Sequence, residues 1–373
     1  MIAPLLALVA CAAPAAVTAT ADSARVAATA PQGPAARPLK ALDAWLKLYR
    51  RGKVDYRSSE PLGKKSIALK YKVRRPNDLG NPTWAGDLKL IVAALAARND
   101  AEAARALAEV AAVGLDRKGN YSYAMAPYSV RAEALEAFRA VRAASAKDAL
   151  AAGARGEWDV RKRAAALRAA AVLALGYVGD PAYADVVHAA LEDEDVVVRI
   201  HAVQSLAEVG DEASQRALVA ALEREQDDAV LVTIAKTLRE LYAEHVRREQ
   251  DKRDRRRARG DSAAADEAPL PPPPTARLAV RAAISALGRT TWRADMVLVR
   301  LLDDFRTVEA VPALIDVLER FRDHPEDVAS GALSGLLQVR VHELLVGMTG
   351  AVFPADDPAS WRALWEREQD KLA

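Results

Sequence analysis

Arg168-Ala-Ala-Ala-Val-Leu-Ala-Leu-Gly-Tyr-Val-Gly-Asp180 returns 31 residues later as Arg199-Ile-His-Ala-Val-Gln-Ser-Leu-Ala-Glu-Val-Gly-Asp211. Self-similarity at a period of this size marks a solenoid, in which a unit cannot bury its apolar face alone and must stack on its neighbours. Ala171, Val172, Leu175 and Val178 share one helical face, and Ala202, Val203, Leu206 and Val209 take the same places one unit later. Both copies end in Gly-Asp. Gly179 and Gly210 suit a left-handed C-terminal turn, and Asp180 and Asp211 suit the cap of the helix that follows. Ala190-Leu191 and Ala221-Leu222 recur at the same spacing, so the unit is a helix pair. The predicted fold is an all-α solenoid of stacked antiparallel helix pairs.

Outward from this core, helical periodicity predicts helices near 160–177, 182–191, 196–208, 214–223 and 229–242. Helices are also predicted at 85–97 and 101–113, separated by Asn99-Asp100, followed by one long helix over 129–146. The repeats thus span 85–245. Residues 246–275 read as a charged and Pro-rich linker, whose first part, to Arg259, could prolong the preceding helix into solvent. The segment 276–373 reads as further repeats closed by a capping helix over 358–372, with Trp361 and Trp365 on its inner side. Towards the N-terminus, Leu42, Trp45, Leu46 and Tyr49 define an amphipathic helix over 39–50. The rest of 39–84 is basic and irregular, with an alternating run from Ile67 to Val73 that suits an excursion or a small hairpin strand.

Composition agrees with helices. Hydrophobic residues make up 51% of the chain and aromatics 5%, so the apolar surface is mainly Ala, Leu and Val. The net charge of +2 singles out neither nucleic acid nor a membrane as partner. Residues 1–21 resemble a secretory signal, with an apolar stretch from Ile2 to Val9 and small residues after it, and 22–38 read as a flexible Ala/Pro tether. Two processing routes compete. Leu8-Val9-Ala10-Cys11 resembles a lipobox, in which Cys11 would carry the lipid, whereas Ala19-Thr20-Ala21 offers an A-x-A cleavage site. Cys11 is the single cysteine, so the chain has no disulfide framework and no thiolate metal site.

Asp195, Val198, Arg199, Ala202 and Leu206 spell an Asp-x-x-Val-Arg-x-x-Ala-x-x-x-Leu pattern that resembles a HEAT-like repeat of the short type named after phycobilisome lyases. Glu309-Ala-Val-Pro-Ala-Leu-Ile-Asp-Val-Leu318 is similar to the first helix of such a repeat. The ending, with Met348-Thr-Gly350, Asp357-Pro-Ala-Ser-Trp361 and Trp365, resembles that of exported HEAT-repeat proteins from planctomycete bacteria. The resemblance implies a binding scaffold in the periplasm or cell envelope; a lyase activity is raised by the repeat's name alone.

No catalytic pattern accompanies the repeats. The five histidines, at 188, 201, 245, 324 and 342, form no H-x-x-x-H or H-E-x-x-H pair, and no P-loop, G-x-S-x-G or G-x-G-x-x-G occurs. The chain therefore reads as a non-enzyme without cofactor or metal. Arg168 and Arg199 read as structural residues reaching the acidic turn near Asp193 and Asp195, in preference to a ladder for acidic partners. Two basic segments are the candidates for an anionic partner. Residues 51–75 hold Lys64, Lys65, Lys70, Lys72, Arg74 and Arg75 among nine basic residues, against Asp55 and Glu60, with Tyr56 and Tyr71 interleaved. Residues 247–259 hold eight basic residues against three acidic ones. The reading reached is an exported scaffold for a protein partner, membrane-attached only through a lipid at Cys11. The alternative is a binder of nucleic acid or another anionic polymer through 51–75 and 247–259.

Overall fold

The computed structural model describes residues 37–50, 85–112, 128–158, 164–259 and 272–372, and every regular element among them is a helix. The N-terminal group comprises α1 (Pro38–Arg50), α2 (Ala85–Arg98), α3 (Ala101–Ala112) and α4 (Tyr128–Phe138). Helix pairs follow: α5 (Ala144–Ala154) with α6 (Ala164–Val178), α7 (Ala184–Ala189) with α8 (Val196–Val209), and α9 (Glu212–Arg224) with α10 (Asp228–Ala258). Next come α11 (Ala276–Ala286) with α12 (Trp292–Phe305), then α13 (Val311–Asp323), a short α14 (Pro325–Ser330), α15 (Gly335–Thr349) and α16 (Pro358–Leu372).

The second helices of the pairs form one layer, α6 against α8, α8 against α10, α10 against α12 and α12 against α15. In the other layer α9 packs on α11, and α16 packs on α13. The molecule is thus the expected all-α solenoid. One face of each pair is the core of the next, so the apolar residues form a single continuous cluster from Ala41 to Trp361.

α6 is apolar on every side because it is enclosed on every side, by α3, α4, α5 and α8. Its closest neighbour is α8. A Cβ on Gly176 would lie 2.3 Å from the Ser205 Oγ and 2.7 Å from the Ser205 Cα, so only glycine fits. The approach lets Ser205 Oγ donate to the Val172 carbonyl at 3.0 Å, which satisfies a fully buried hydroxyl.

Helix ends follow the repeat's punctuation. Gly179 and Gly210 have φ of 64° and 65°. Asp180 accepts from Ala182 N at 3.0 Å and Asp211 from Ser214 N at 2.8 Å. Asp100, Asp195 and Asp227 cap α3, α8 and α10 in the same way. At the far end Trp361 is buried, donates Nε1 to the Pro354 carbonyl at 3.3 Å and meets Phe353 and His342 edge to face. Trp365 is partly buried against the same core.

The structure departs from the sequence reading in three places. The single helix expected over 129–146 is two, because α4 ends in tight turns that bond Arg139, Ala140 and Val141 to carbonyls three residues back. Asn99, at φ 51°, then accepts from the freed Arg142 and Ala143 N–H groups at 3.1 and 3.4 Å. The helix expected over 182–191 is a six-residue α7 between 3-10 turns at Pro181–Tyr183 and Ala190–Glu192. In the stretch 246–275, α10 runs on to Ala258, the prolongation the sequence allowed, but Thr275, read as the end of the linker, is buried. Thr275 Oγ1 donates to Gln215 Oε1 at 2.8 Å and pairs with the Tyr242 hydroxyl at 2.9 Å, tying α9, α10 and the start of α11 together. Burial pushes the Tyr242 hydroxyl up to about 12.

Candidate functional site

The two arginines of the repeat are spent on the seams between units. Arg168 donates two bonds to the Asp193 carboxylate, at 3.0 and 2.9 Å, from the first turns of α6 to the end of the next pair's first helix. Arg199 repeats the contact from α8 to Glu225, at 3.0 and 3.1 Å, and adds a bond to the Asp193 carbonyl. Glu225 is itself buried and also accepts from Gln226 and Asp227 N–H. Both are fork-to-carboxylate pairs, which fix angle as well as distance.

The next two seams use other residues. Asp228, the first residue of α10, accepts from the hydroxyls of Thr290 and Thr291, while Arg289 reaches back to the Leu222 and Glu225 carbonyls. At α12 the charges are exchanged. Asp295, buried in the first turn, accepts from Gly288 N at 2.7 Å and from Arg320, in the last turn of α13, at 3.4 Å. Burial pushes its carboxyl up, against the pull of the Gly288 N–H and Arg320. Residue-by-residue reading missed this pair. The signal was an offset of 25 or 26 residues that Arg168–Asp193, Arg199–Glu225 and Asp295–Arg320 share.

The concavity that stands out lies where two successive units turn. Buried Leu175, Val187 and Leu206 form its base, and half-exposed Val209 its wall. Tyr183, His188, Asp180 and Asp211 stand at the mouth. Its lining comes from the ends of α6 and α8, from the six-residue α7 with the turn before it, and from the start of α9. Lys147 holds Asp180 at 2.6 Å, chiefly through that hydrogen bond keeping the carboxyl below its ordinary value, and Tyr183 donates to Asp148 at 2.7 Å. Burial pushes the Asp211 carboxyl up, but the Ser214 hydrogen bonds and nearby His188 outweigh it and leave it low. Gly179, Asp180 and Asp211, which the sequence marks as turn residues, therefore also line a slot.

Two of the other histidines serve structure: His201 is buried against the Val197 carbonyl at 2.8 Å, and His342 Nε2 contacts the Phe353 carbonyl at 2.6 Å. Among the described residues no group of three His, Cys, Asp or Glu could hold a metal ion, and no helix is long and apolar enough to cross a membrane. The sequence places Cys11 and the basic cluster Lys64, Lys65, Lys70, Lys72, Arg74 and Arg75 outside the described residues, as it does the Ile67–Val73 run. The second basic segment forms the free end of α10, in which no residue beyond Tyr242 is buried. Glu244 pairs with Arg247 and Arg248, and Glu249 with Lys252, each one turn apart. Arg255, Arg256 and Arg257 lie in the last turn, where cations favour the helix dipole.

These features define a class, the α-solenoid whose side-chain chemistry is invested in joining repeats. Residues 163–239 match the family model for HEAT repeats, the stretch that holds the slot and both arginine seams. HEAT-like repeats generally serve as protein-interaction scaffolds and carry no catalytic machinery of their own. A search of curated proteins gave no match.

Proposed function

We propose that this chain is a non-enzymatic scaffold, exported to the cell envelope, that grips a protein partner through its HEAT-like repeats. The observation that carries the reading is the slot between the turns of two consecutive repeats, apolar at its base and carboxylate-bearing at its mouth. Such a slot takes one apolar anchor of a partner chain and leaves its flanking polar groups at the rim. Site-specific photo-crosslinking from Val209 and from Ala213 in the native host tests it, with Val328, exposed on α14 beside α13, as control. A discrete adduct formed from the slot positions and not from Val328 is the expected result. No adduct, or the same adducts from all three positions, would refute it.

The second reading, an anionic-polymer binder, rests on the basic free end of α10. A steep fall in affinity for a nucleic-acid or polyphosphate probe with added salt, abolished by neutralising Arg255, Arg256 and Arg257, would favour it over the scaffold. Export itself is read from the intact mass of the chain recovered from fractionated cells. A lipid-modified start at Cys11 or cleavage after Ala21 supports the envelope, and an unprocessed chain supports the second reading.

A further inference from the structure

Among the described helices, α15 is the last of the layer that runs from α6 through α8, α10 and α12, and α16 turns back onto α13. The outward face of α15, which every earlier helix of that layer turns to its successor, is left in solvent. Leu336 is 68% exposed and Val339 55%, and Glu343 and Gly347 continue the same stripe one and two turns on. Arg340 borders the stripe, bonded to Asp303 of α12 and to Glu343. From this face we infer that two copies of the chain pair through α15, antiparallel, about a two-fold axis between residues 341 and 342.

Three observations select a second copy over another partner. In this register Arg340 faces Glu343 of the second copy and Glu343 faces its Arg340, so the charges complement themselves, as a two-fold contact requires. Leu336 falls opposite Gly347 of the second copy, a large side chain over a residue with none, and Gly347 is exposed, with only the end of the Arg306 side chain near it, 3.7 Å from where a Cβ would lie. The pairing also supplies α15 with the helix neighbour that the array otherwise gives each member of its layer. One helix face of 15 residues is roughly 22 Å long, so the contact belongs among the small, reversible interfaces.

Sedimentation velocity on the full-length chain, from about 1 µM to about 1 mM, tests the pairing in the range where small interfaces dissociate. The expected result is a monomer–dimer equilibrium that Leu336→Asp weakens by about tenfold or more, without lowering the melting temperature of this exposed position. Glu343→Arg alone and Arg340→Glu alone should each be monomeric, and an equimolar mixture of the two should dimerise, because only the mixed pair sets opposite charges at both contacts. A monomer at all concentrations would overturn the proposal. So would a dimer indifferent to Leu336→Asp, or a mixture no more associated than its components.

Discussion

The seam that α8 makes and the seam that α12 makes join neighbouring helix pairs by the same contact with the charges exchanged. At the first, Arg199 in the opening turn of the helix reaches Glu225 just beyond the next pair's first helix. At the second, Asp295 holds the helix position and Arg320 ends the next first helix. An acid in a first turn suits the helix dipole and an arginine there does not, so Arg199 is placed for the seam at some expense to its own helix. What the array preserves at these two steps is an ion pair at one location with its polarity reversed, while at the step between them Asp228 takes the Thr290 and Thr291 hydroxyls and Arg289 takes backbone carbonyls instead. That is why the 31-residue sequence repeat fades towards the C-terminus while the stacking does not.

The comparison breaks most visibly at the glycines. Gly176→Leu forces a side chain into the Ser205 backbone and should cost more than about 4 kcal/mol, leaving an aggregated or unfolded chain by circular dichroism. In the C-terminal arm the nearest atom to a Cβ on Gly347 is 3.7 Å away, so Gly347→Ala should instead raise stability by about 0.5–1 kcal/mol in urea unfolding. Between these falls Thr275→Val, which strands the Gln215 carbonyl oxygen and the Tyr242 hydroxyl in the core and should cost about 2–3 kcal/mol. An unchanged urea midpoint would show that Thr275 is not the tie between the two regions.

The smallest effect is a pH dependence. The folded state raises the Asp295 carboxyl above its ordinary value of 3.8, so its contribution is fullest below that value and is lost as pH rises through the folded value. The melting temperature of the wild type relative to Asp295→Asn should therefore climb as pH falls from neutral towards 4. Asp211 is held low, and the wild type should lose ground to Asp211→Asn as pH falls through and below 3.8. Parallel profiles for either pair of proteins would contradict the assignment.

The repeat itself was legible because Gly179-Asp180 and Gly210-Asp211 announce their turns and the apolar positions between them keep helical period. The break within 129–146 was not. That stretch has neither Gly nor Pro, and the acceptor that ends it, Asn99, lies some forty residues upstream. The slot was invisible for a related reason: its residues are individually ordinary core and cap positions, and only the fold brings those of two successive units together. Arg168 and Arg199 could be read as structural from their placement, and Arg168 does reach Asp193 in the expected turn, but the carboxylate of Arg199 is Glu225, one unit on, which only the folded seam brings near. Asp295 and Arg320 keep the offset of the arginine seams but with the charges exchanged, so no residue type marks them as the same contact.

The central claim, that the α8 and α12 seams are closed by the same coupled ion pair whichever helix carries the cation, is tested most directly by two double-mutant cycles in urea unfolding. One combines Arg199→Met with Glu225→Gln, the other Arg320→Met with Asp295→Asn. Coupling of about 1 kcal/mol or more in both cycles is the predicted result, larger at Arg199, whose contact is shorter and whose own side chain is better covered than that of Arg320. Additive losses in either cycle would contradict the account.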